Sequence, residues 1–250
     1  MGRKRNEIVA IFNSVADLNY SKFSVNECRL WFALLAAVRD RDTCDLVMTL
    51  DEFAELAGVA NHRPAYIVPI AIEMGKKIQA LTSVEEWSFG EVEIIWFFQK
   101  FKVSLEERRI YFSVSPRYKA WVNSLTANFT KFALTEFKPL STRAAQELYL
   151  QLKKNAFKGD ELFISLEDLK YRLNLPKYRS NDITNRIVKP AVSEINSLGA
   201  FDKKLTYSAI KSDRKIIGYQ FTFISEEDCD DDWDNYSPKL CDEYDEDEPW

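Results

Sequence analysis

One histidine, His62, and four cysteines, Cys28, Cys44, Cys229 and Cys241, are all the imidazole and thiol the chain carries. The cysteines show no C-x-x-C spacing and the histidine stands alone, so no zinc constellation can be assembled from them. Reduced thiols and a cytoplasmic setting are the simplest expectation. Long apolar runs are missing too, which argues against a membrane-spanning helix. The basic opening Met1-Gly2-Arg3-Lys4-Arg5 leads into no continuous apolar stretch, which argues against a secretory signal. No G-x-x-x-x-G-K-[ST] loop is present, so autonomous ATP-driven chemistry lacks its phosphate cradle. A nicking tyrosine would need a metal held by paired histidines, and one histidine cannot hold it. No catalytic residue, metal or cofactor is expected.

Charge is present in quantity, and it is unevenly placed. The chain has 250 residues and a net charge of −5. Residues 1–125 carry 16 basic and 16 acidic side chains and are neutral. Residues 126–225 carry 17 basic and 10 acidic, a net of +7, and residues 226–250 carry one basic and 13 acidic, a net of −12. A formally acidic protein thus holds a basic middle and an acidic tail. The tail has no helical or strand period, its carboxylates repel, and disorder is expected there. Trp233, Tyr236, Tyr244 and Trp250 are spaced among the acids, a composition of segments that dock on basic or apolar surfaces. A tail that only solubilises is the plain alternative.

Periodicity divides what precedes the tail. Ile8, Val9, Ile11, Phe12, Val15 and Leu18 have helical spacing and predict a helix over 6–19. Ser24 with Glu27, and Thr49 with Glu52, are capping boxes that open two further helices, the second stopping near Gly58. Another helix is predicted over 65–81. Two β-rich runs, 92–103 and 109–114, follow, and Pro116 closes the unit. A short strand near 130–134 then precedes a helix capped by Ser141 or Thr142.

From Phe163 the order becomes short strand, S-L-E-D-L helix start, and a helix over 181–198. Two alternating runs follow, broken at Lys211-Ser212-Asp213-Arg214. Helix, turn, helix and hairpin make a winged helix. Ser165-Leu166-Glu167-Asp168-Leu169 echoes Thr49-Leu50-Asp51-Glu52-Phe53 at an offset of 116. Ile187-Val188-Lys189-Pro190-Ala191 echoes Ile67-Val68-Pro69-Ile70-Ala71 at an offset of 120. The reading is an α+β chain of two tandem winged-helix domains related by internal duplication. Residues 1–125 form the first, serving association and a secondary DNA contact, and 126–225 the main DNA reader; 226–250 are the acidic, disordered tail.

The 181–198 helix carries the sharpest signal. Ile183, Ile187, Ala191, Ile195 and Leu198 form its expected buried stripe, widened by Val188 and Val192. Asp182, Asn185, Arg186 and Lys189 follow i, i+3, i+4, i+7 on the other side. Lys177, Tyr178, Arg179, Ser180 and Asn181 lead in. Arginine and asparagine there suit guanine and adenine edges, and lysine, hydroxyls and backbone amides suit phosphates. An ordinary solvated helix face is the competing reading. The hairpin brings Lys203 and Lys204 at its base and Lys211, Arg214 and Lys215 at its tip, a basic wing for a phosphate backbone. Edge-strand protection by lysines is its plainer alternative. In the first unit the tip holds Glu106 and Glu107 beside Arg108 and Arg109, a poorer phosphate ligand. His62 and Arg63 at the start of its third helix still reach a backbone. Asp51-Glu52 and Glu167-Asp168 are read as helix-start residues rather than metal ligands.

The segment F-T-K-F-A-L-x4-K-P-L-S-T-R-A-A-Q-E-L-Y-x-x-L (129–152), then S-L-E-D-L-K-x-x-L, then I-V-K-P-A-V-S-E-I-N (187–196) resembles the initiator replication proteins of iteron-containing bacterial plasmids. S-V-N-E-C-R-L (24–30) and I-Y-F-S-V-S-P (110–116) agree more loosely. The resemblance implies two winged-helix domains binding repeated origin sequences as monomers, melting an adjacent AT-rich region and recruiting the host initiator and helicase. It implies that dimers, formed largely through the first domain, repress their own gene or pair origins. Its recognition helix maps onto about Arg179 to Ser193. Two readings compete: a tandem winged-helix transcription regulator without a replication role, and a protein-docking scaffold.

Overall fold

The computed structural model describes residues 8–39, 44–81, 84–87, 91–94, 96–123, 129–156 and 159–224, without the side chains of 84–87, 91–94, 117, 120, 121 and 123. The acidic segment 226–250, with Cys229 and Cys241, lies outside the described residues.

The described residues open with a strand, β1 (Ile8–Phe12), where a helix was expected; among the described residues of 6–19 only α1 (Asn13–Ala16) is helical. The β-branched residues Ile8, Val9 and Ile11 suit an extended backbone, and a distant partner strand supplies the ladder that spacing alone does not reveal. Helix α2 (Val25–Val38) starts where the local chemistry demands. Ser24 Oγ accepts from the Glu27 amide at 3.2 Å and Glu27 accepts from the Ser24 amide at 2.6 Å. After β2 (Asp45–Thr49), the same reciprocal box between Thr49 and Glu52 opens α3 (Leu50–Ala57). Gly58, at φ 67°, closes it in the left-handed conformation that glycine adopts without strain.

Helix α4 (Pro64–Ala80) follows, then the hairpin β3 (Val84–Trp87) and β4 (Glu91–Ile94), then β5 (Phe98–Ser104) and β6 (Arg109–Val114). The expected single run over 92–103 is therefore split between two different hairpins. Pro116 does not end the unit; it begins α5 (Pro116–Asn123), as proline does at a first helical position.

The second half repeats the first. β7 (Phe129–Ala133), α6 (Leu134–Phe137) and α7 (Arg143–Asn155) stand where β1, α1 and α2 stood, with Thr142 capping α7 through a 3.1 Å bond from the Ala145 amide. β8 (Glu161–Ser165) leads into α8 (Leu166–Leu173). Ser165 caps the start of α8, and Asn174, at φ 53°, takes the left-handed end position held by Gly58 in the first unit. Then come α9 (Ser180–Ile183), a π turn (Thr184–Val188), α10 (Lys189–Ser197), and the hairpin β9 (Lys204–Ser212) and β10 (Lys215–Ile224). Each unit closes with a three-stranded antiparallel sheet of the same topology, β2-β6-β5 in the first and β8-β10-β9 in the second. The tandem winged-helix architecture holds.

The units share one continuous core. β1 pairs antiparallel with β7 in the register Ile8↔Ala133, Ala10↔Lys131, Phe12↔Phe129. Phe32 of α2 packs edge-on against Phe132 at 5.5 Å and Phe137 at 4.9 Å, and Phe132 against Tyr149 at 5.6 Å. Buried Trp31 donates to the Tyr20 hydroxyl at 3.1 Å, and that hydroxyl donates to the Val15 carbonyl at 2.6 Å. The Cys28 thiol, fully buried, is pushed up to about 12 by desolvation and stays protonated.

Gly218 sits at a bulge in β10, where the ladder skips Ile217, and Phe163 lies across it. A Cβ there would stand 2.6 Å from a Phe163 ring carbon and 2.7 Å from the Ile164 carbonyl oxygen. The exposed ring can swing away but the carbonyl cannot. Gly218→Ala is expected to lower stability by about 1–3 kcal/mol in urea denaturation. Adding Phe163→Ala is not expected to restore it, since the backbone clash remains.

Candidate nucleic-acid interface

The segment from Ser180 to Ser197 is one continuous rod whose middle turn is π-helical. The wide turn lies just ahead of Pro190, whose ring crowds the carbonyl four residues back in a regular helix. Pro69 in α4 is accommodated without such a turn. The consequence is a five-residue step in the buried stripe, which runs Ile183, Val188, Ala191, Val192, Ile195. This corrects the expected stripe: Ile187 is only half-buried, and Leu198 is 38% exposed.

The step settles what faces outward. Asn181, Asn185, Arg186, Lys189 and Ser193 are exposed, with Ser180 half-buried at the helix start and Lys177 and Arg179 exposed just before it. At 1.5 Å per residue, Asn181 to Ser193 covers about 18 Å of helix. Arg186 makes one loose contact, 3.6 Å to Asp182 one turn back. At the wing, Asp213 and Arg214 both have positive φ, 48° and 64°, closing a two-residue turn between the paired Ser212 and Lys215. That turn presents Lys211, Arg214 and Lys215 to solvent, while Lys204 is exposed at the base, paired in the ladder with Ile224. Neighbouring Lys203 is tied to Asp160 at 2.5 Å.

Three polar pins hold the rod against the unit, and the sequence reading missed all of them. At its start, the Thr184 and Tyr219 hydroxyls lie 2.8 Å apart and both bond the Ser180 carbonyl, at 3.1 and 3.2 Å. Burial pushes the Tyr219 hydroxyl above its usual range, so it keeps the proton it donates. In its last turn, Glu194 accepts from the Thr142 hydroxyl at 2.8 Å and from the Ser141 amide, joining α10 to the start of α7. At its end, the Asn196 amide group exchanges two bonds with the Leu205 backbone, at 2.8 and 2.9 Å, tying α10 to the wing. Glu194 and Asn196 belong to the I-V-K-P-A-V-S-E-I-N run, and polar residues beside a buried stripe were the only local sign of them.

The first unit is built alike and charged differently. Its helix α4 is pinned by Lys77, whose Nζ lies 2.7 Å from both carboxylate oxygens of nearly buried Glu27. Its wing tip is folded back on the helices: Arg108, at φ 50°, bonds both oxygens of Asp51 at 3.2 Å, and His62 Nδ1 is 4.0 Å from the same carboxylate. These groups, with Asn61 and exposed Arg63, line an open depression of about 600 Å³. Asp51 therefore spends on its own chain the cations that a phosphate would use. Among the described residues no group of three or more His, Cys, Asp or Glu could hold a metal, and no helix is long and apolar enough to cross a membrane.

Known proteins share this arrangement. A family model described as "Initiator Replication protein, WH1" matches residues 8–153, and one described as "Initiator Rep protein, WH2" matches residues 165–223. A "Probable replication protein rep" of Bifidobacterium longum (strain NCC 2705) is 26% identical over 225 residues, covering 88% of this chain and 74% of that protein. The crystal structure of the Pi initiator protein in complex with iteron DNA superposes with a TM-score of 0.68 at 17% identity, over 90% of this chain and 100% of that one. Domains 2 and 3 of RctB superpose with a TM-score of 0.54 at 13% identity, over 80% and 81%. At these identities the two superpositions speak to the fold.

The wing turn stores strain that can be measured. An L-residue in the left-handed region costs about 1–2 kcal/mol, against a smaller entropic cost for glycine. Arg214→Gly makes the Asp-Gly pair that such turns favour and is expected to raise stability by about 0.5–1 kcal/mol in thermal or urea unfolding. An arginine kept where glycine fits better is serving something other than the turn. Unchanged or lower stability would show that the turn is not strained.

Proposed function

Because the chain belongs to the family of initiator replication proteins with paired winged-helix domains, we propose that it binds double-stranded origin repeats (iterons) of a plasmid. It acts there as a replication initiator. The observation that carries this reading is the second unit's outward face. On one pinned helix it offers two asparagines, an arginine and a lysine, and beside them a wing tip of three cations without carboxylate partners among the described residues. Arg186, Asn185 and Asn181 are the base readers, Lys189 and Ser193 reach bases or phosphates, and Lys177, Arg179 and Ser180 hold the backbone at the helix start. Lys204, Lys211, Arg214 and Lys215 grip phosphates along the wing.

The first unit, 1–125, serves association and a weaker backbone contact through His62 and Arg63. The second, 126–225, is the reader. This division follows charge rather than chain connectivity, since β7 of the second half completes a sheet with β1 of the first. Monomers on the repeats promote melting of an adjacent AT-rich region and bring in the host initiator and helicase; dimers repress. The protein works by binding and deforming DNA in the cytoplasm, without catalysis of its own.

Two substitutions separate reading from gripping. Arg186→Ala with Lys189→Ala is expected to weaken repeat binding at least about tenfold while thermal unfolding stays unchanged. Lys211→Gln with Lys215→Gln is expected to weaken all duplexes alike and to reduce the slope of log affinity against log salt by about two. Footprinting on the DNA beside the gene reads the role. Protection of tandem direct repeats next to an AT-rich stretch fits initiation, whereas a single inverted repeat indicates a repressor alone. A footprint that survives the helix pair would remove Arg186 and Lys189 from the reader.

A further inference from the structure

The cations of the second unit fall into two groups, those with a carboxylate partner and those without. Lys76, Lys77, Arg108, Lys153, Lys154, Arg172 and Lys203 each have a carboxylate within reach. Among the described residues Lys177, Arg179, Lys189, Lys204, Lys211, Arg214 and Lys215 have none, although all are exposed on one unit of the protein. Such a set of exposed, unpaired cations is a standing attractor for any polyanion. The same chain carries one. Residues 226–250 hold 13 carboxylates in two blocks, seven within 226–234 and six within 242–248.

Where the chain leaves the fold decides which cations it meets first. β10 runs from Lys215 at the wing tip to Ile224, which pairs with Lys204 at the wing base. The acidic segment is therefore rooted beside Lys204, about 30 Å along the strand from the tip. The ten residues from Ile224 to Asp234 can span up to about 35 Å, enough to lay the first block along the wing. All the residues to Trp250 can span up to about 90 Å, enough to bring the second block to the exposed face of α10.

We propose that the acidic segment 226–250 is an intramolecular polyanion that occupies the wing and recognition-helix cations of the second unit, in competition with DNA. The inference rests on the reading of that unit as a DNA binder. A tethered competitor acts at high effective concentration and weakens every duplex by the same factor. Weak complexes on random sequence then fall below occupancy while complexes on the repeats persist. The closed state is itself ionic, so its hold fades as salt rises.

The test uses the full chain with Asp228, Asp230, Asp231, Asp232 and Asp234 changed to asparagine. In low salt its affinity for a random duplex should exceed the wild type's by about tenfold, and its salt dependence should be steeper, so that the two proteins converge in high salt. Adding Lys211→Gln, Arg214→Gln and Lys215→Gln should shrink the gain. Acetylation of lysines in the DNA-free protein, read by mass spectrometry, reports the contact without DNA: Lys211 and Lys215 should react faster in the asparagine variant. Equal reactivity and equal low-salt affinity would overturn the proposal, as would a gain that high salt leaves intact. A reactivity difference in a protein that binds no duplex would keep the tail contact and remove the DNA reading instead.

Discussion

When Ile8–Phe12 lies antiparallel to Phe129–Ala133, the first strand of each half becomes the other's only ladder partner among the described residues. Each half would leave a row of backbone amides and carbonyls unpaired if the other were removed. The pairing also brings α2 against β7 and α6, where Phe32 meets Phe132 and Phe137, and Phe132 in turn meets Tyr149 of α7. The tandem repeat is therefore a single packed body rather than two beads on a linker. Its two winged-helix units are held together through that shared sheet and core.

Charge reinforces the same junction. Glu147, 2% exposed, sits between Arg143 at 3.6 Å and Arg172 at 3.2 Å. Burial pushes its carboxyl up, and the two guanidiniums pull against that shift. Arg172 reaches on to Asp17 at 3.6 Å, and Lys154 pairs with the same carboxylate, so the network crosses from α8 and α7 to the end of α1. Arg29 donates to the Leu140 carbonyl at 3.0 Å and Arg143 to the Tyr20 carbonyl at 3.3 Å, a near-reciprocal pair across the junction. Buried ion pairs contribute little net stability but penalise every arrangement that breaks them. Here they specify one docking of the units.

Duplication preserved the scaffold and let the chemistry diverge. The equivalent helices α3 and α8 are each capped at the start by a hydroxyl and closed in the left-handed region, and each unit ends in a three-stranded sheet. Yet Asp51 draws Arg108 and His62 inward in the first unit, while the second keeps its wing-tip cations Lys211, Arg214 and Lys215 free of carboxylates among the described residues. The first unit ties wing-tip Arg108 to its own carboxylate. The second holds its wing tip out to solvent, on a unit whose recognition helix is fixed at three points by Tyr219, Glu194 and Asn196.

Much of this was legible in the chain because it depends on short motifs and on composition rather than on packing. The caps Ser24, Thr49 and Ser165, the paired echoes of the repeat, the hairpin break and the excess of cations in the second unit need no distant partner to be recognised. What stayed hidden depends on groups far apart in sequence. Ile8–Phe12 is a strand because Phe129–Ala133 pairs with it, and its apolar spacing alone reads as a helix. The five-residue step from Ile183 to Val188 shifts the face of the helix after the π turn, which no regular period announces. Asp51 quenches an arginine 57 residues away, and Asn196 locks onto a strand that spacing cannot aim at it. The repeat, the winged-helix order and the sign of each segment's charge are written into short stretches, where propensity, capping and ionisation act. How the units join and which cations remain available follow from the packed fold, because pairing and neutralisation depend on which surfaces meet.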